Sequence, residues 1–334
     1  MRLGVVLADD TWHFFNDIYE DLKTRYSVDV FQRRRFGAPV FNVRINRYLF
    51  NHDLETFLNS HDVIFFEWAS DLLAAATQLP KRGRIVTRLH RYEMFQWSGQ
   101  INWANVDKVI LVSRAMQQKF ARDFPEHAHR TVVINESVST QRFQPVSKPF
   151  AGDIGTLCFP TPRKRVYELI LAFAELNRRR SGYRLHIGGS SNKFGDYNDA
   201  LHSLVKKLAL EDQVIFYGKV SEPWNWYRNI DIFISNSYSE GLQVAPMEAM
   251  ASARYCLSHY WDGAEELLPE DHLFLTDSEL LAKIFEYADW PEAEKRRQQE
   301  EMRRIACEKF DLEQIKEQLR GVIETLTGEV NPAV

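Results

Sequence analysis

Eleven short apolar runs, rich in Val, Ile and Phe, are spaced along the chain with amphipathic stretches between them. "RLGVVLA", "SVDVFQ", "DVIFFEW", "RIVTRLH", "KVILVS" and "TVVIN" come first; "IGTLCF", "RLHIGG", "QVIFYG", "DIFISN" and "RYCLSHY" follow. Several are unbroken by polar residues, which is how strands covered on both faces of a parallel sheet read. The intervening segments, such as "VYELILAFAELNRRR" and "YNDALHSLVKKLAL", carry helical periodicity. Strand–helix alternation predicts an α/β fold of doubly wound parallel sheets.

The alternation occurs twice. Between the two rounds lies "FQPVSKPFAGD", Phe143–Asp153, where Pro145, Pro149 and Gly152 mark a linker. The expected organisation is a Rossmann-like domain over residues 1–148 and a second over 149–311, facing each other across a cleft. Open α/β sheets bind ligands beyond the carboxyl ends of their strands, so two such sheets suit a two-substrate transferase. The final run, "DLEQIKEQLRGVIETLTGEV", predicts a helix that caps the chain or returns to the first domain, with residues 312–334 completing it.

Composition narrows the class. With 334 residues, 45% of them hydrophobic, the chain can build two cores. No 18-residue apolar run is present, and "MRLGVVLADD" reads as a first strand rather than a leader. Cys158, Cys256 and Cys307, odd in number and widely spaced, fit reduced thiols in a cytoplasmic protein and give no metal-ligand pattern. The first 150 residues carry an excess of four positive charges and the remainder an excess of eight negative ones. Part of the basic excess, Arg33–Arg35, Arg44 and Arg47, is interleaved with Phe31, Phe36, Phe41, Tyr48 and Phe50. Such a 31–50 region reads either as a solvated loop or as a peripheral contact with a membrane surface or an anionic acceptor. With a pI near 6.2 and no recognised module, nucleic acid is not an expected partner.

The chemistry concentrates in "SEGLQVAPMEAM", Ser239–Met250, where Glu240 and Glu248 enclose seven residues. "NIDIFISNS" reads as a strand, "YSEGL" as a turn in which Gly241 lets the backbone approach a ligand, and "APMEAMA" as a helix start with Pro246 and Glu248 in its first turn. An acid there has two readings. The helix dipole alone favours it, or it serves a ligand at a helix start. Glu240 stands at a strand's carboxyl end, where sites form in this architecture.

"DIFISNSYSEGLQVAPMEAMA" resembles the signature of the retaining glycosyltransferases of family 4, with the GT-B fold and a Glu-X7-Glu motif; Glu240, Gly241, Glu248, Ala249, Met250 and Ala251 match it. "PRKRVYELILAFAEL", "YRLHIGG", "LVKKLALEDQVIFYGKVSE", "VILVSRAMQQKF", "VVINESVSTQRFQP" and "IVTRLHRYEMF" extend the likeness over about residues 80–270. The resemblance implies that Glu248 holds the ribose hydroxyls of a nucleotide-sugar donor and that Glu240 lies near the transferred sugar. It implies that Lys164, helped by Arg163, neutralises the leaving diphosphate, while backbone N–H groups of Leu242 and Gln243, after Gly241, contact sugar or phosphate. His90 would reach a sugar hydroxyl, and Gly188 would approach the base. Read without the resemblance, His90 is a structural histidine and Gly188 a turn residue. Asp10, Trp12 and His13 fall on the acceptor side, Trp12 stacking on a sugar ring or simply packing.

Several positions depart from the family pattern. Phe159 stands where the family has Arg, and Gln243 where it has Gly. Asn135-Glu136-Ser137 replaces Pro-Asn-Gly, and Asp262 replaces the first glycine before Gly263 and Glu265, a segment that otherwise reads as a helix cap.

The expected function is a retaining transfer from a nucleotide-sugar donor to a glycan, lipid-linked or small-molecule acceptor. No metal or other cofactor is expected, because fixed cations and N–H donors balance the departing phosphate. The expected location is cytoplasmic, with peripheral contact at the inner face of the membrane. The alternatives are a GT-B sugar-nucleotide epimerase, a phosphorylase, or a binding protein without turnover.

Overall fold

A computed structural model describes residues 1–7, 12–34, 42–190 and 194–328, the side chains of 12–14 and 42 excepted. The chain divides into two compact units, Met1–Asn135 with Gln314–Val334, and Glu136–Glu313.

The first unit holds a parallel sheet of β1 (Arg2–Val6), β2 (Ser27–Val30), β3 (Val63–Phe66), β4 (Arg84–Leu89), β5 (Lys108–Leu111) and β6 (Thr131–Val133). Its order is β2-β1-β3-β4-β5-β6, so the winding reverses between β1 and β3. All four residues of β3 are buried, whereas edge strand β2 alternates exposed and half-buried residues. A strand with a neighbour on each side and helices on both faces must be apolar throughout; an edge strand need not be.

The second unit pairs β7 (Asp153–Leu157), β8 (Arg184–Gly188), β9 (Val214–Gly218), β10 (Ile232–Ser235), β11 (Tyr255–His259) and β12 (Leu273–Phe274). The order is β12-β11-β10-β7-β8-β9, all parallel, which makes the boundary between β7 and β10 the switch point. All eleven sequence-expected strands form; β12, two residues long, gave no periodic signal. The helix Val166–Arg179 covers the sheet with Val166, Leu169, Ile170, Phe173 and Leu176, a spacing that keeps them on one stripe. Glu168 in its first turn and Arg178 and Arg179 in its last complement the helix dipole.

The division between the units falls at Asn135–Glu136, ahead of the proline-rich stretch, because that stretch is pinned along the second unit. Val138 N donates to Phe310 O at 2.8 Å and Leu312 N to Val138 O at 3.0 Å. Arg303 Nη1 holds Phe143 O at 2.7 Å, and Arg254 Nη2 holds Val146 O at 2.7 Å. The prolines remove donors from a segment whose carbonyls are then taken by the half-buried Arg303 and the buried Arg254. At the other end of the unit, the helix Leu312–Thr327 returns to the first unit, with Arg320 Nη1 2.6 Å from Asp21 Oδ2 and Tyr26 Oη 3.0 Å from Glu324 Oε1.

Candidate functional site

The turn after β7 and the loop after β10 lie side by side because those two strands are neighbours. Lys164 closes a short 3-10 turn, Pro162–Lys164, and Arg165 follows at φ 51°, the left-handed conformation that reverses the chain into the next helix. Asn236 Nδ2 donates to Arg165 O at 3.0 Å and Tyr238 N to Arg163 O at 3.3 Å, which fastens the loop to the turn.

Charge is concentrated at this junction. Lys164 Nζ lies 2.7 Å from Glu240 Oε1, and Arg163 Nη1 contacts the same oxygen while donating to Ser239 O at 2.7 Å. The Glu240 side chain is only 9% exposed. Burial pushes its carboxyl up, but the charges of Lys164 and Arg163 prevail and hold it down at about 2. Glu240 is therefore a carboxylate throughout the physiological range.

Glu248 sits in an opposite environment. The helix Val244–Ala251 begins two residues ahead of Pro246, so Glu248 is its fifth residue and lies past the first turn. That corrects the expected first-turn placement, and with it the helix-dipole account of this acid. Its carboxyl instead accepts from Tyr227 Oη at 2.9 Å. Desolvation by the packed surroundings pushes it up to about 7, against the Tyr227 hydrogen bond and the nearby Arg142 charge. Two carboxyls in one loop-helix segment are thus driven apart, one firmly ionised and one poised near neutrality.

Of the remaining expected donor residues, Gly241, Leu242 and Gln243 lie in the chain between these two acids. Gly241 is not among the glycines with positive φ, so the turn does not draw on that freedom. The Leu242 side chain is buried, leaving its backbone as the part able to meet a ligand. The Gln243 side chain is also buried, turned back onto Ser235 and Ser237 rather than outward. Gly188 ends β8, and its neighbour Gly189, at φ +106°, is the residue that cannot change, since a Cβ there would stand 1.7 Å from Cys158 O. Phe159, in place of the family's arginine, is 61% exposed. Gly263 adopts φ +100° directly before the helix Ala264–Leu267, as a helix-start glycine.

Sequence reasoning missed Tyr227, Arg142, Ser235 and Ser237. Tyr227 is fully buried and comes from the turn before β10, with no motif to announce it. The serines had a signal, the two positions flanking Asn236 at a strand's carboxyl end.

His90 belongs to the first unit, at the end of β4 and the start of the helix Arg91–Gln96. Its Nε2 lies 3.2 Å from Glu67 O, and its ring centre is 4.2 Å from that of Trp68. In the same cluster Arg88 Nη1 meets Glu67 Oε1 at 2.7 Å, both side chains 1% exposed. Asp10 lies outside the described residues, as do the side chains of Trp12 and His13. Of the 31–50 region, residues 35–41 are outside as well. Within the described part, Arg33 lies over the Phe50 ring at 4.6 Å, and the helix Asn42–Ser60 exposes Val43, Arg44, Arg47 and Tyr48. Among the described residues no group of three or more His, Cys, Asp or Glu is placed to hold a metal ion, and no helix is long and apolar enough to cross a membrane.

Comparison with known proteins places this site in context. Residues 159–299 match the family model described as glycosyl transferases group 1, a span that includes Arg163, Lys164, Gly188, Glu240 and Glu248. A phosphatidylinositol N-acetylglucosaminyltransferase subunit of Arabidopsis thaliana is 25% identical over 53% of this chain and 40% of its own length. The alpha-monoglucosyldiacylglycerol synthase of Streptococcus pneumoniae is 30% identical over 29% of this chain and 21% of its own length. The chain thus spans less than half the length of these curated relatives. Among solved structures, Anabaena Alr3699/HepE in complex with UDP and glucose superposes with a TM-score of 0.79 at 18% identity, covering 97% of this chain and 100% of that one. Sucrose-phosphate synthase from Thermosynechococcus elongatus does so at 0.77 and 16% identity, covering 99% and 100%. At these identities the likeness is one of fold, and the fold is GT-B.

Proposed function

We propose that this chain is a group 1 glycosyltransferase, of the retaining family 4 type, that moves a sugar from a nucleotide-sugar donor held by the second unit. The observation that carries the proposal is the junction of Arg163, Lys164 and Glu240 at the switch point between β7 and β10. Open sheets of this winding bind ligands there. Breaking a glycosyl–phosphate bond leaves positive charge on the anomeric carbon and negative charge on the departing diphosphate. Two fixed cations answer the second, and an ionised Glu240 the first, without a metal ion or other cofactor. Glu248, on the next helix, accepts from the donor's ribose hydroxyls. His90 serves a sugar hydroxyl, and the acceptor side belongs to the first unit with Asp10, Trp12 and His13.

The acceptor is proposed to be lipid-linked. The relatives' names carry phosphatidylinositol and diacylglycerol, and the exposed Arg44, Arg47, Val43 and Tyr48 form a basic and apolar face suited to the inner surface of a membrane. UDP is the first nucleotide to try, since the HepE complex contains it.

The test is a thermal-stabilisation screen of UDP-, GDP-, ADP- and dTDP-sugars, since a ligand that binds the native state raises the melting temperature. Transfer to a lipid acceptor follows, with the product anomer read by NMR and EDTA added to one arm. One donor stabilising the protein, and a product keeping the donor's anomeric configuration with EDTA present, is the expected result. No stabilisation by any nucleotide sugar, or an inverted product, overturns the reading.

A further inference from the structure

The loop that carries Glu240 is closed by a side chain. Ser235 ends β10, Gln243 caps the next helix, and Glu240 stands in the loop they enclose. The Ser235 hydroxyl donates to Gln243 Oε1, and Gln243 Nε2 donates to Ser237 Oγ at 3.1 Å. All three side chains are buried: Ser235 is 6% exposed, Ser237 1% and Gln243 8%. A carbonyl oxygen only accepts and an amide nitrogen only donates, so the bonds run in one direction. The two bonds span the loop from its first residues to its last, with Glu240 between them. The glycine of the family pattern could make none of these contacts.

We propose that Gln243 is a positioning residue. Its amide ties the two ends of the 236–242 loop, adding a restraint on the backbone that carries Glu240 to the ion pairs its side chain makes with Arg163 and Lys164. In the transfer reaction this role rests on the function proposed above. An acid meant to stabilise charge at one carbon loses that effect when it moves by a fraction of its own length. Arg163 and Lys164 both hold one oxygen of Glu240, and the Gln243 bonds hold the loop from which that carboxylate projects. Gln243 itself touches neither donor nor acceptor through its side chain.

The test compares the wild type with Gln243→Met, which keeps the length and removes the hydrogen bonds, and with Ser237→Ala and the double variant. Gln243→Gly replaces the Met variant if the latter fails to fold. Amide hydrogen exchange across residues 236–243 is expected to quicken at least about tenfold in the Gln243 variant. The kcat for transfer is expected to fall about tenfold to a hundredfold, with the donor KM within about twofold. In the Ser237→Ala background the second substitution should add less than it costs alone, because both remove the bond between Gln243 and Ser237. A merely structural role would raise KM with kcat or add to the Ser237→Ala loss. Unchanged loop exchange, an unchanged kcat, or losses that multiply in the double variant overturn the proposal. A wild type that transfers no sugar sinks the function proposed above, and the exchange measurement still decides whether Gln243 closes the loop.

Discussion

The hydroxyl of Tyr227 lies 2.9 Å from both Glu248 Oε2 and Ala245 O, so one buried phenol serves the helix backbone and the acid just past the helix midpoint. That acid is held near pH 7, and its titration has a definite sign. A carboxyl raised by folding binds its proton more tightly in the native state, so the stability it lends is complete below the ordinary carboxylate range and is lost as pH rises through about 7. Glu248→Gln is expected to be more stable than the wild type at pH 8.5 and nearly equal to it at pH 4, read as melting temperature. Donor affinity should move the other way. It should strengthen in the wild type as pH rises through about 7, and become weak and flat in the variant, measured by calorimetric titration.

Removing Lys164 leaves Glu240 with a single cation in a buried setting. Lys164→Ala is expected to lower kcat by roughly a hundredfold to a thousandfold, the cost of one preorganised charge at a developing anion. The Glu240 carboxyl should also rise from about 2, since the first of the charges holding it down is gone. Steady-state kinetics and a carboxyl-carbon NMR titration read the two effects.

A charge network at the opposite end of the second sheet predicts acid sensitivity. Asp153 is almost fully buried and faces His186 Nε2 at 3.0 Å, Arg184 Nε at 2.8 Å and Lys148 Nζ at 3.1 Å. Burial raises its carboxyl, yet these three partners hold it well below the usual range. Stability from a depressed carboxyl is present above its unfolded value, near 4, and is lost as pH falls toward the native one. Asp153→Asn should cost about 3 kcal/mol in urea unfolding at pH 7. The difference should shrink as the wild type is acidified below pH 4.

Gly189→Ala is expected to destabilise the second unit by more than about 2 kcal/mol, since the left-handed backbone and the Cys158 carbonyl both refuse a methyl group. Gly188→Ala meets chiefly the Leu157 and Val220 methyls, which can yield, and should cost less. Paired melting curves test the contrast.

The strands were legible because burial on both faces leaves a chemical trace: "VIFF" of β3 and "IFIS" of β10 are apolar or small throughout, and both are buried along their length. β12 was not legible, because two residues cannot show a period. Lys164 and Glu240 were singled out through their family likeness. Their ion pair, between residues 76 apart in sequence, could not be read from either segment alone. Glu248 was placed one residue too early in its helix, since Pro246 suits more than one position of a first turn.

Local sequence settled which segments become strands and helices, because side-chain periodicity and turn residues act within a few positions. It also supplied the acids and cations. Only the tertiary structure decided their meaning. The neighbouring of β7 and β10 set Glu240 against Arg163 and Lys164, the burial of Tyr227 put a phenol against Glu248, and the loop closure turned Gln243 inward. The physical reason is that ionisation and orientation depend on distance and desolvation, and both are properties of the packed chain rather than of the order of its residues.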